Sequence, residues 1–374
     1  MKITAIIAEY NPFHNGHLYQ LNKAKEETNP DVTIAVMSGN FTQRGKSAVL
    51  DKYLRSVVAV KQGVDIVVEL PTVFAINSAE YFSRGAINVI KNLPNVTLSF
   101  GSELGDVNKL TKLANYTTTK EYDDVVKENL SKGLGYQTAS VNALNSLEAV
   151  GSNDILAIEY VKNAIKYPNI SLHTIKRVNN FNENTAVNGF LSASAIRNLQ
   201  NKEDAKSYMP EYSYEKFALA TPNDKLNDMI LGALLSKTKE ELRSICGINE
   251  GLENRIISAL NLANDYDDFY SKLQTKRYSN SRLDRALLNT MLNVTKSTLE
   301  KVKDVGYFSV LAIKKDKLSV LGYLNNYTKV ITKYADTKLL NNEEKLAFDV
   351  DEKANVLYGL SNSNNKRRNM LIIE

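Results

Sequence analysis

The sequence predicts an α/β protein: a doubly wound parallel sheet with a helical insertion, followed by a mainly α-helical C-terminal domain. Three observations lead to this fold class. Short apolar runs rich in β-branched residues alternate with segments of helical spacing over the first half of the chain, and this alternation is typical of doubly wound sheets. A polar stretch of helical character interrupts the alternation once, and helical patterns dominate after about residue 202.

Five apolar runs are predicted to be buried parallel strands, because nearly continuous Val, Ile and Leu suit strands that are covered on both faces. The runs are Ile3–Ala8, Val32–Met37, Asp65–Leu70, Val96–Phe100 and Ile170–Ile175. The helices predicted between them are Gly16–Glu27, Ser47–Gln62, Ser78–Lys91 and Asn153–Ile165. Ligands of such sheets bind at the carboxyl ends of the strands, near the point where strand order reverses, so we expect the chemistry in the loops that follow the strands.

The chain has 374 residues, which favours two domains because single cores stop growing at about 250–300 residues. We predict a first domain over residues 1–201, with the helical insertion at about 106–147, and a second over 202–374. The helices predicted in the second domain are Leu226–Leu235, Lys239–Ile245, Leu252–Ala263 and Arg282–Leu292. Val310–Leu324 and Tyr327–Tyr334 suit short strands or pieces of helix equally well.

Composition restricts the class of protein. Apolar residues make up 43% and charged residues 24%, as in ordinary globular proteins. The net charge of +5 permits a nucleic-acid partner without requiring one. Cys246 is the only cysteine, which excludes an internal disulfide and a multi-cysteine zinc site and fits a reducing cytoplasm. No apolar run approaches the ~20 residues that a membrane helix needs, so we expect a cytoplasmic protein with no membrane partner.

The strongest functional signal lies between the first predicted strand and the first predicted helix. His14-Asn15-Gly16-His17 places two histidines three residues apart in the first helical turn, where they project to one side. The unpaired N–H groups of that turn carry about half a positive charge, and Gly16 allows a ligand to approach the backbone closely. The pattern predicts a phosphate site with imidazole donors.

Two other interpretations of the histidines are open. His14 and His17 are two of the three histidines in the chain, and they could be a helix cap and a surface residue. A metal pair is less favoured, because helical histidine ligands usually stand four residues apart and need a third ligand. We predict no metal bound by the protein itself.

The motif resembles known families. H-x-G-H is the signature of the nucleotidylyltransferase and class I synthetase superfamily, which implies its nucleotidylyltransferase-like (HUP) fold. The longer string Glu9-Tyr10-Asn11-Pro12-Phe13-His14-Asn15-Gly16-His17 more specifically resembles the bacterial tRNA(Met) cytidine acetate ligase family. Other matching segments extend the resemblance over most of the chain.

Two of those segments supply further candidate residues. Met37–Gly45 resembles the family's Ser-Gly-x-Phe-x-Gln-Arg-Gly stretch and places Gln43 and Arg44 at the carboxyl edge of the sheet, suited to a phosphate or a carboxylate. The family usually has a proline where Ser47 stands. Leu191–Arg197 resembles the superfamily's Ser/Thr-rich x-Ile-Arg signature, in which serines cap a helix. The resemblance implies that Arg197 stabilises the departing pyrophosphate.

The remaining nucleotide segments include two departures from the family pattern. Asp154 stands where the family more commonly has Asn, and Phe181-Asn182-Glu183 replaces an aromatic-His-Asp sequence. The resemblance implies His14, His17 and Arg197 as catalytic residues. It implies ATP contacts from Ile7, Ala8, Glu9, Tyr10, Asn11, Pro12, Phe13, His14, Asn15, Gly16, His17, Gln20, Gly101, Asn153, Arg177 and Ser194.

The resemblance also implies the reaction. Acetate would attack ATP, carried as Mg²⁺-ATP, to give acetyl-adenylate and pyrophosphate, and the acetyl group would pass to N4 of the wobble cytidine of elongator tRNA(Met). The RNA contacts expected in the helical domain are Lys276, Arg277, Arg282 and Arg285. Lys366, Arg367 and Arg368 form a weaker second cluster. A solvated basic helix is the alternative for the first cluster.

Two other functions stay open at this point. A small-molecule adenylyltransferase would share the H-x-G-H turn but would have no use for the long helical domain with its basic cluster. A non-catalytic module that binds nucleotide or RNA would keep the fold without turnover. Both histidines and the Ser-x-Ile-Arg segment disfavour that module.

Overall fold

The fold follows from a computed structural model that describes residues 1–177, 189–221, 223, 225–362 and 369–374. All five predicted strands are present, with bounds that differ from the prediction by at most two residues. They are β1 (Ile3–Ala8), β2 (Val32–Ser38), β3 (Ile66–Leu70), β4 (Val96–Ser102) and β5 (Ile170–Lys176).

The predicted helices of the first 201 residues are also present, and the polar insertion folds into three of them, α5 to α7. The helices are α1 (Asn15–Thr28), α2 (Lys52–Lys61), α3 (Thr72–Ala75), α4 (Ala79–Ile90), α5 (Val107–Tyr116), α6 (Lys120–Ser131), α7 (Tyr136–Asn145), α8 (Ser152–Ala164) and α9 (Ala193–Arg197). Helix α2 begins five residues later than Ser47, because Asp51 caps it by accepting a hydrogen bond from the Leu54 N–H at 2.8 Å.

The chain after residue 201 is mainly helical, as predicted, but it also adds strands. Its helices are α10 (Glu211–Ala218), α11 (Lys225–Leu235), α12 (Lys239–Ser244), α13 (Leu252–Leu262), α14 (Tyr266–Leu273), α15 (Asn280–Leu292), α16 (Lys296–Val302), α17 (Leu318–Leu324) and α18 (Asn342–Asn362). Its strands are β6 (Phe308–Lys314), β7 (Val330–Ile331) and β8 (Leu371–Ile373).

Within the described residues, these strands form one sheet in the order β5-β4-β1-β2-β3-β6-β7, with β8 also paired to β6. Strands β1 to β5 pair in parallel, which confirms the doubly wound sheet. The chain builds outward from β1 through β2 and β3 and then returns to the other side of β1 with β4 and β5. The order therefore reverses beside β1, and the carboxyl end of β1 is the predicted ligand position.

Strand β6 pairs antiparallel with β3, at Ile66 with Ile313 and Val67 with Ala312. The sheet therefore contains strands from both sides of the boundary predicted after residue 201, because the C-terminal half of the chain supplies β6, β7 and β8. The apolar pattern of Val310–Leu324 fitted strand or helix, and the structure uses it for both, β6 and α17.

The central strands are buried on both faces, since every residue of β2 and β3 is buried. This burial explains their continuous apolar runs. None of the helices in the described ranges combines the length and the hydrophobicity that crossing a bilayer requires.

Candidate functional site

The connection from β1 to α1 is a sharply bent turn in which most residues are buried. Tyr10 has a positive φ of 46°, and the Asn11–Pro12 peptide bond is cis. Tyr10 and Phe13 pack with their ring centroids 4.7 Å apart and are at most 2% exposed. The two rings anchor the turn in the core, so the polar atoms of the turn are held at the carboxyl end of β1.

His14 is the N-cap of helix α1, and its side chain accepts a hydrogen bond from a backbone N–H of the first helical turn. Its Nδ1 accepts a hydrogen bond from the Gly16 N–H at 3.0 Å. The helix-cap interpretation of His14 is therefore correct. It is compatible with a phosphate site, because the cap uses only Nδ1 of the ring. Since Nδ1 is an acceptor, the proton of the neutral ring is on Nε2.

His17 lies one turn into the helix and is held in the same tautomer. Its Nδ1 accepts a hydrogen bond from the His14 N–H at 3.3 Å, so its Nε2 also carries the proton. The rings of His14 and His17 lie 3.8 Å apart between centroids, with an angle of 31° between their planes. The turn thus presents two imidazole N–H donors side by side.

Both imidazoles are neutral near pH 7. Burial lowers the pKa of His14 to about 3, with the guanidinium groups of Arg177 and Arg197 acting in the same direction. Burial, the neighbouring His14 and Arg177 lower the pKa of His17 well below its ordinary value. Neutral rings can donate hydrogen bonds to a phosphate, but they cannot supply a positive charge.

Arg197, the last residue of α9, reaches the same turn. Its Nη1 donates a hydrogen bond to the Asn11 carbonyl at 2.5 Å. Helix α9 is capped by Ser192, which accepts a hydrogen bond from the Ala195 N–H at 3.1 Å, as expected for this serine-rich segment. The half-buried Ser194 lies in the first turn of α9. The structure therefore brings Arg197 to the histidines from a segment about 180 residues later.

The chain after α9 also holds the turn. The Ser213 hydroxyl donates a hydrogen bond to the Phe13 carbonyl at 2.6 Å, and the Asn15 side-chain amide donates one to the Ser207 carbonyl at 3.2 Å. Neither serine was predicted from the sequence, because backbone carbonyl contacts leave no pattern in the chain.

Arg177 lies on the other side of the site, beyond the end of β5. Its side chain covers Gly101 of β4, where an added Cβ would lie 3.4 Å from Arg177 Cγ. Within the described residues, its Nε is buried without a hydrogen-bond partner, although Glu103 and Asp154 lie close enough to raise its pKa against the effect of burial. An unpaired buried guanidinium N–H is available to an anionic ligand.

Asp154, one of the departures from the family pattern, has a structural role. Its carboxylate accepts hydrogen bonds from the backbone N–H groups of Glu103 (2.9 Å), Leu104 (3.2 Å) and Gly151 (2.9 Å). In return, the Glu103 carboxylate accepts from the Asp154 N–H at 2.9 Å and from the Asn153 side-chain amide at 2.7 Å. The extra carboxylate is therefore held by backbone donors from the start of α8 and from the loop after β4.

Gln43 and Arg44 lie in a tight turn, Thr42–Lys46, after β2. The Gln43 N–H donates a hydrogen bond to Glu9 Oε1 at 2.7 Å, which ties this turn directly to the end of β1. The Arg44 side chain is exposed. The predicted phosphate loop is thus adjacent to the histidine turn, as its position after a neighbouring parallel strand implies.

The fully buried Arg55 was not predicted from the sequence. It is 1% exposed, and its guanidinium donates hydrogen bonds to the carbonyls of Glu9 (2.6 Å), Ser38 (3.1 Å) and Gly39. It therefore joins the loops that follow β1 and β2. Its position within the predicted helix α2 gave no signal, because helical arginines are usually solvated.

A buried ion pair lies under the same loop. Lys52 Nζ is 2.8 and 2.7 Å from the two carboxylate oxygens of Glu69, and both side chains are at most 4% exposed. A Cβ at Gly39 would come within 2.4 Å of Glu69 Oε1, so the loop passes directly over the pair. A third charged group, the carboxyl of Asp351 on α18, lies near this pair, and burial together with Glu69 raises its pKa to about 7.

The remaining predicted nucleotide residues are close to the turn. Ile7 is buried and Ala8 half-buried at the end of β1, and Gln20 is half-buried one turn after His17. Phe181-Asn182-Glu183 lies outside the described residues, as does the second basic cluster, Lys366, Arg367 and Arg368. Among the described residues, no group of three or more His, Cys, Asp and Glu side chains could hold a metal ion.

The four predicted RNA-binding residues divide into two kinds. Lys276 and Arg277 are exposed. Arg282 is half-buried, lies 4.8 Å from the ring centroid of Tyr278 and pairs with Glu250 at 3.2 Å. Arg285 is half-buried and donates a hydrogen bond to the Gln43 carbonyl at 3.3 Å.

A mainly parallel α/β sheet with an H-x-G-H turn after its first strand is the arrangement of a HIGH-type nucleotidyl transferase. A family model described as HIGH Nucleotidyl Transferase matches residues 1–371. The chain is 37% identical to the tRNA(Met) cytidine acetate ligase of Thermosipho africanus over 94% of this chain and 90% of that protein, and 35% identical to that of Fusobacterium nucleatum over 96% of each. The chain belongs to the tRNA(Met) cytidine acetate ligase family and is a ligase.

Solved structures give the same result. A crystal structure of Thermotoga maritima TmcAL in the apo form is 31% identical, covers 100% of both chains and has a TM-score of 0.88. A second structure of TmcAL, bound with alpha-thio ATP, is 32% identical, covers 100% of both chains and has a TM-score of 0.87.

Proposed function

We propose that this enzyme uses ATP to activate acetate as acetyl-adenylate and then transfers the acetyl group to N4 of the wobble cytidine of elongator tRNA(Met), giving N4-acetylcytidine. The observation that carries this proposal is the neutral pair of the buried His14 and the half-buried His17, whose Nε2–H groups are held side by side at the carboxyl end of β1. The two substrates other than ATP, tRNA(Met) and acetate, are those that the names of the relatives give.

ATP binding is supported by the solved TmcAL structure with alpha-thio ATP. We place the α-phosphate at the Nε2–H donors of His14 and His17, because neutral N–H groups can donate hydrogen bonds to phosphate oxygens without transferring a proton. Arg177 and Arg197 flank the histidines closely enough to lower the pKa of His14, and we assign the β- and γ-phosphates to them. Mg²⁺ would enter as part of the substrate, Mg²⁺-ATP.

The first step is a displacement at phosphorus. An acetate oxygen forms a bond to the α-phosphorus while the bond to the β-phosphate oxygen breaks, and the electron pair of that bond leaves with pyrophosphate. Negative charge moves along the phosphate chain during this step. Fixed donors aimed at that charge lower the barrier, and removal of one such donor costs about 10²–10³ in rate in other enzymes.

The second step joins the cytidine to the acetyl group. The N4 amine attacks the acetyl carbon, the bond to the AMP oxygen breaks, and N4 loses a proton. The base must leave its stack to reach the adenylate. Exposed Lys276 and Arg277, with Arg282 over the Tyr278 ring, support RNA binding on this face. The relatives are named as ligases that act on tRNA(Met), which supports a cytoplasmic location.

One experiment tests the whole proposal. The protein is incubated with ATP, radiolabelled acetate and elongator tRNA(Met), and the products are analysed for AMP, pyrophosphate and acetyl-labelled cytidine. We expect all three. In a parallel reaction without tRNA, we expect pyrophosphate and acetyl-adenylate. Pyrophosphate release that needs no acetate but depends on a small amine or phosphate ester would instead favour the small-molecule adenylyltransferase.

A further inference from the structure

The Thr42–Lys46 turn, which holds Gln43 and Arg44, lies directly against helix α15 of the C-terminal half. Gly45 in this turn has a φ of +79°, and an added Cβ would lie 2.4 Å from the Arg285 backbone nitrogen and 2.7 Å from Asp284 Cβ. Only glycine fits there, because both the positive φ and the contact exclude a side chain. The turn and the helix are therefore packed backbone against backbone.

Side chains of α15 hold this turn on both sides of Gly45. The Asp284 carboxylate, in a residue that is 6% exposed, accepts hydrogen bonds from Lys46 Nζ at 2.9 Å and from the Tyr270 hydroxyl at 2.8 Å. Arg285 Nη1 donates to the Gln43 carbonyl at 3.3 Å. Two adjacent helical residues thus hold the turn at Gln43 and at Lys46.

The same turn holds a residue at the histidine site. The N–H of Gln43 donates to Glu9 Oε1 at 2.7 Å, and Glu9 follows β1 directly. Arg285 and Glu9 therefore bind the carbonyl and the N–H of the same residue, Gln43. The Glu9 carboxylate is close enough to Arg197 to raise the pKa of that guanidinium against the effect of burial.

We propose that Arg285 and Asp284 are positioning residues for acetate activation, because they fix the turn whose Gln43 N–H orients Glu9 beside Arg197. This inference rests on the proposed function and changes the role of Arg285, which the sequence pattern assigned to RNA. The half-buried guanidinium of Arg285 already binds a backbone carbonyl, whereas Lys276 and Arg277 are exposed. Helix α15 thereby belongs to the first half-reaction as well as to the RNA-binding half of the chain.

The test separates the first half-reaction from tRNA binding. Acetate-dependent exchange of pyrophosphate into ATP is measured without tRNA for wild type, Arg285→Ala and Arg285→Lys. We expect Arg285→Ala to lower kcat at least 10-fold, because small displacements of reacting groups cost rates of this order, with KM for ATP and Kd for tRNA within about 3-fold of wild type. Arg285→Lys keeps one donor and should recover part of kcat.

Two more variants guard against a general loss of folding. Lys46→Met removes only the exposed partner of Asp284 and should lower kcat in the same direction, by about 3-fold. Arg243→Ala is the matched control, since Arg243 pairs with Glu253 at 2.9 Å outside the site, and its kcat should equal that of wild type. Wild-type kcat in Arg285→Ala, or a loss confined to tRNA affinity, would overturn the inference.

A second measurement does not depend on activity. Hydrogen exchange of backbone amides in residues 42–46 reports how firmly the turn is held. We expect exchange there to rise at least 10-fold in Arg285→Ala and to stay at the wild-type rate in Arg243→Ala. Unchanged exchange in Arg285→Ala overturns the inference. If wild type shows no acetate-dependent reaction, the proposed function and the positioning role in acetate activation both fail. Faster exchange in Arg285→Ala would then show only that Arg285 holds the turn.

Discussion

The main-chain N–H of His14 donates a hydrogen bond to Nδ1 of His17 at 3.3 Å, while Nδ1 of His14 accepts from the Gly16 N–H at 3.0 Å. Each ring is thereby fixed in the tautomer that carries its proton on Nε2. The capping interaction that stabilises the helix therefore also leaves Nε2–H as the donor that we propose for the α-phosphate. Structure and chemistry can be separated at His14, because asparagine caps a helix but does not have an imidazole N–H.

Replacement of His14 separates the two roles. His14→Asn should keep the free energy of unfolding near that of wild type, whereas His14→Ala should lose about 0.5–2 kcal/mol with the cap. Both variants lose the Nε2–H donor, so both should lower kcat for acetyl-adenylate formation by about 10²–10³-fold. Urea unfolding and acetate-dependent pyrophosphate exchange measure the two effects. Equal rates in His14→Asn and wild type would remove His14 from the chemistry.

The stability of the protein should fall with pH because of His14. Its pKa is about 3 in the folded chain and about 6.5 when unfolded. Between these values His14 binds more protons in the unfolded chain than in the folded chain. The stability that this difference contributes is fully present above about pH 6.5 and is lost as the pH falls towards about 3. The free energy of unfolding of wild type minus that of His14→Asn should be about 2 kcal/mol lower at pH 5 than at pH 7.5. Urea unfolding at both pH values measures this; a constant difference would contradict a neutral, buried His14.

Loss of the buried Lys52–Glu69 pair should be costly. Lys52→Met leaves Glu69 charged, buried and without its partner, which costs about 3–5 kcal/mol in comparable pairs. The double variant Lys52→Met/Glu69→Gln should be less destabilised than the two single effects combined, because the side chains are in contact. Lys132→Met, which removes the exposed ion pair with Glu128, is the control and should show no comparable loss. Additive effects in the double variant would show that the pair is not coupled.

RNA binding should depend on the exposed cations. Arg277→Ala is expected to weaken tRNA affinity and to reduce the slope of log affinity against log salt by about one. Arg282→Ala should act in the same direction and should also lose its contact with the Tyr278 ring. Filter binding at several salt concentrations measures both effects. If both variants keep the wild-type affinity and slope, the basic cluster is only a solvated surface.

Acetate should bind weakly. It has four heavy atoms, and a ceiling of about 1.5 kcal/mol per atom limits its binding free energy to about 6 kcal/mol, a dissociation constant of tens of micromolar at best. We therefore expect a KM for acetate at or above this range when ATP is saturating. A KM in the nanomolar range would show that acetate is not bound as a small separate substrate.

Local sequence was sufficient for the five parallel strands and for the H-x-G-H turn. Continuous β-branched runs specify buried parallel strands wherever they fold, so β1 to β5 could be predicted within two residues. The H-x-G-H turn could be predicted for a similar reason, since its glycine, its histidines and its position before a helix are neighbours in the chain. The roles assigned to its residues stay predictions until they are tested.

Contacts between distant segments could not be predicted. Strand β6 joins β3 although Ala312 and Val67 are far apart in the chain, and its apolar pattern fitted a helix equally well. The spacing of Arg282 and Arg285 shows that they share a helix face, but it does not show what covers that face. Only the packing of α15 on the Thr42–Lys46 turn separates Arg285, bound to the Gln43 carbonyl, from the exposed Arg277.

The sequence by itself determined the positions of strands β1 to β5, the H-x-G-H turn before α1 and the family, because each depends on residues that are adjacent in the chain. Tertiary structure decided the protonation of the histidines, the buried Arg55 and Lys52–Glu69 contacts, and the connection from Arg285 to Glu9. The physical reason is that burial and hydrogen-bond partners come from segments far apart in sequence. A pKa or a positioning role depends on those partners, and the residue type alone does not specify them.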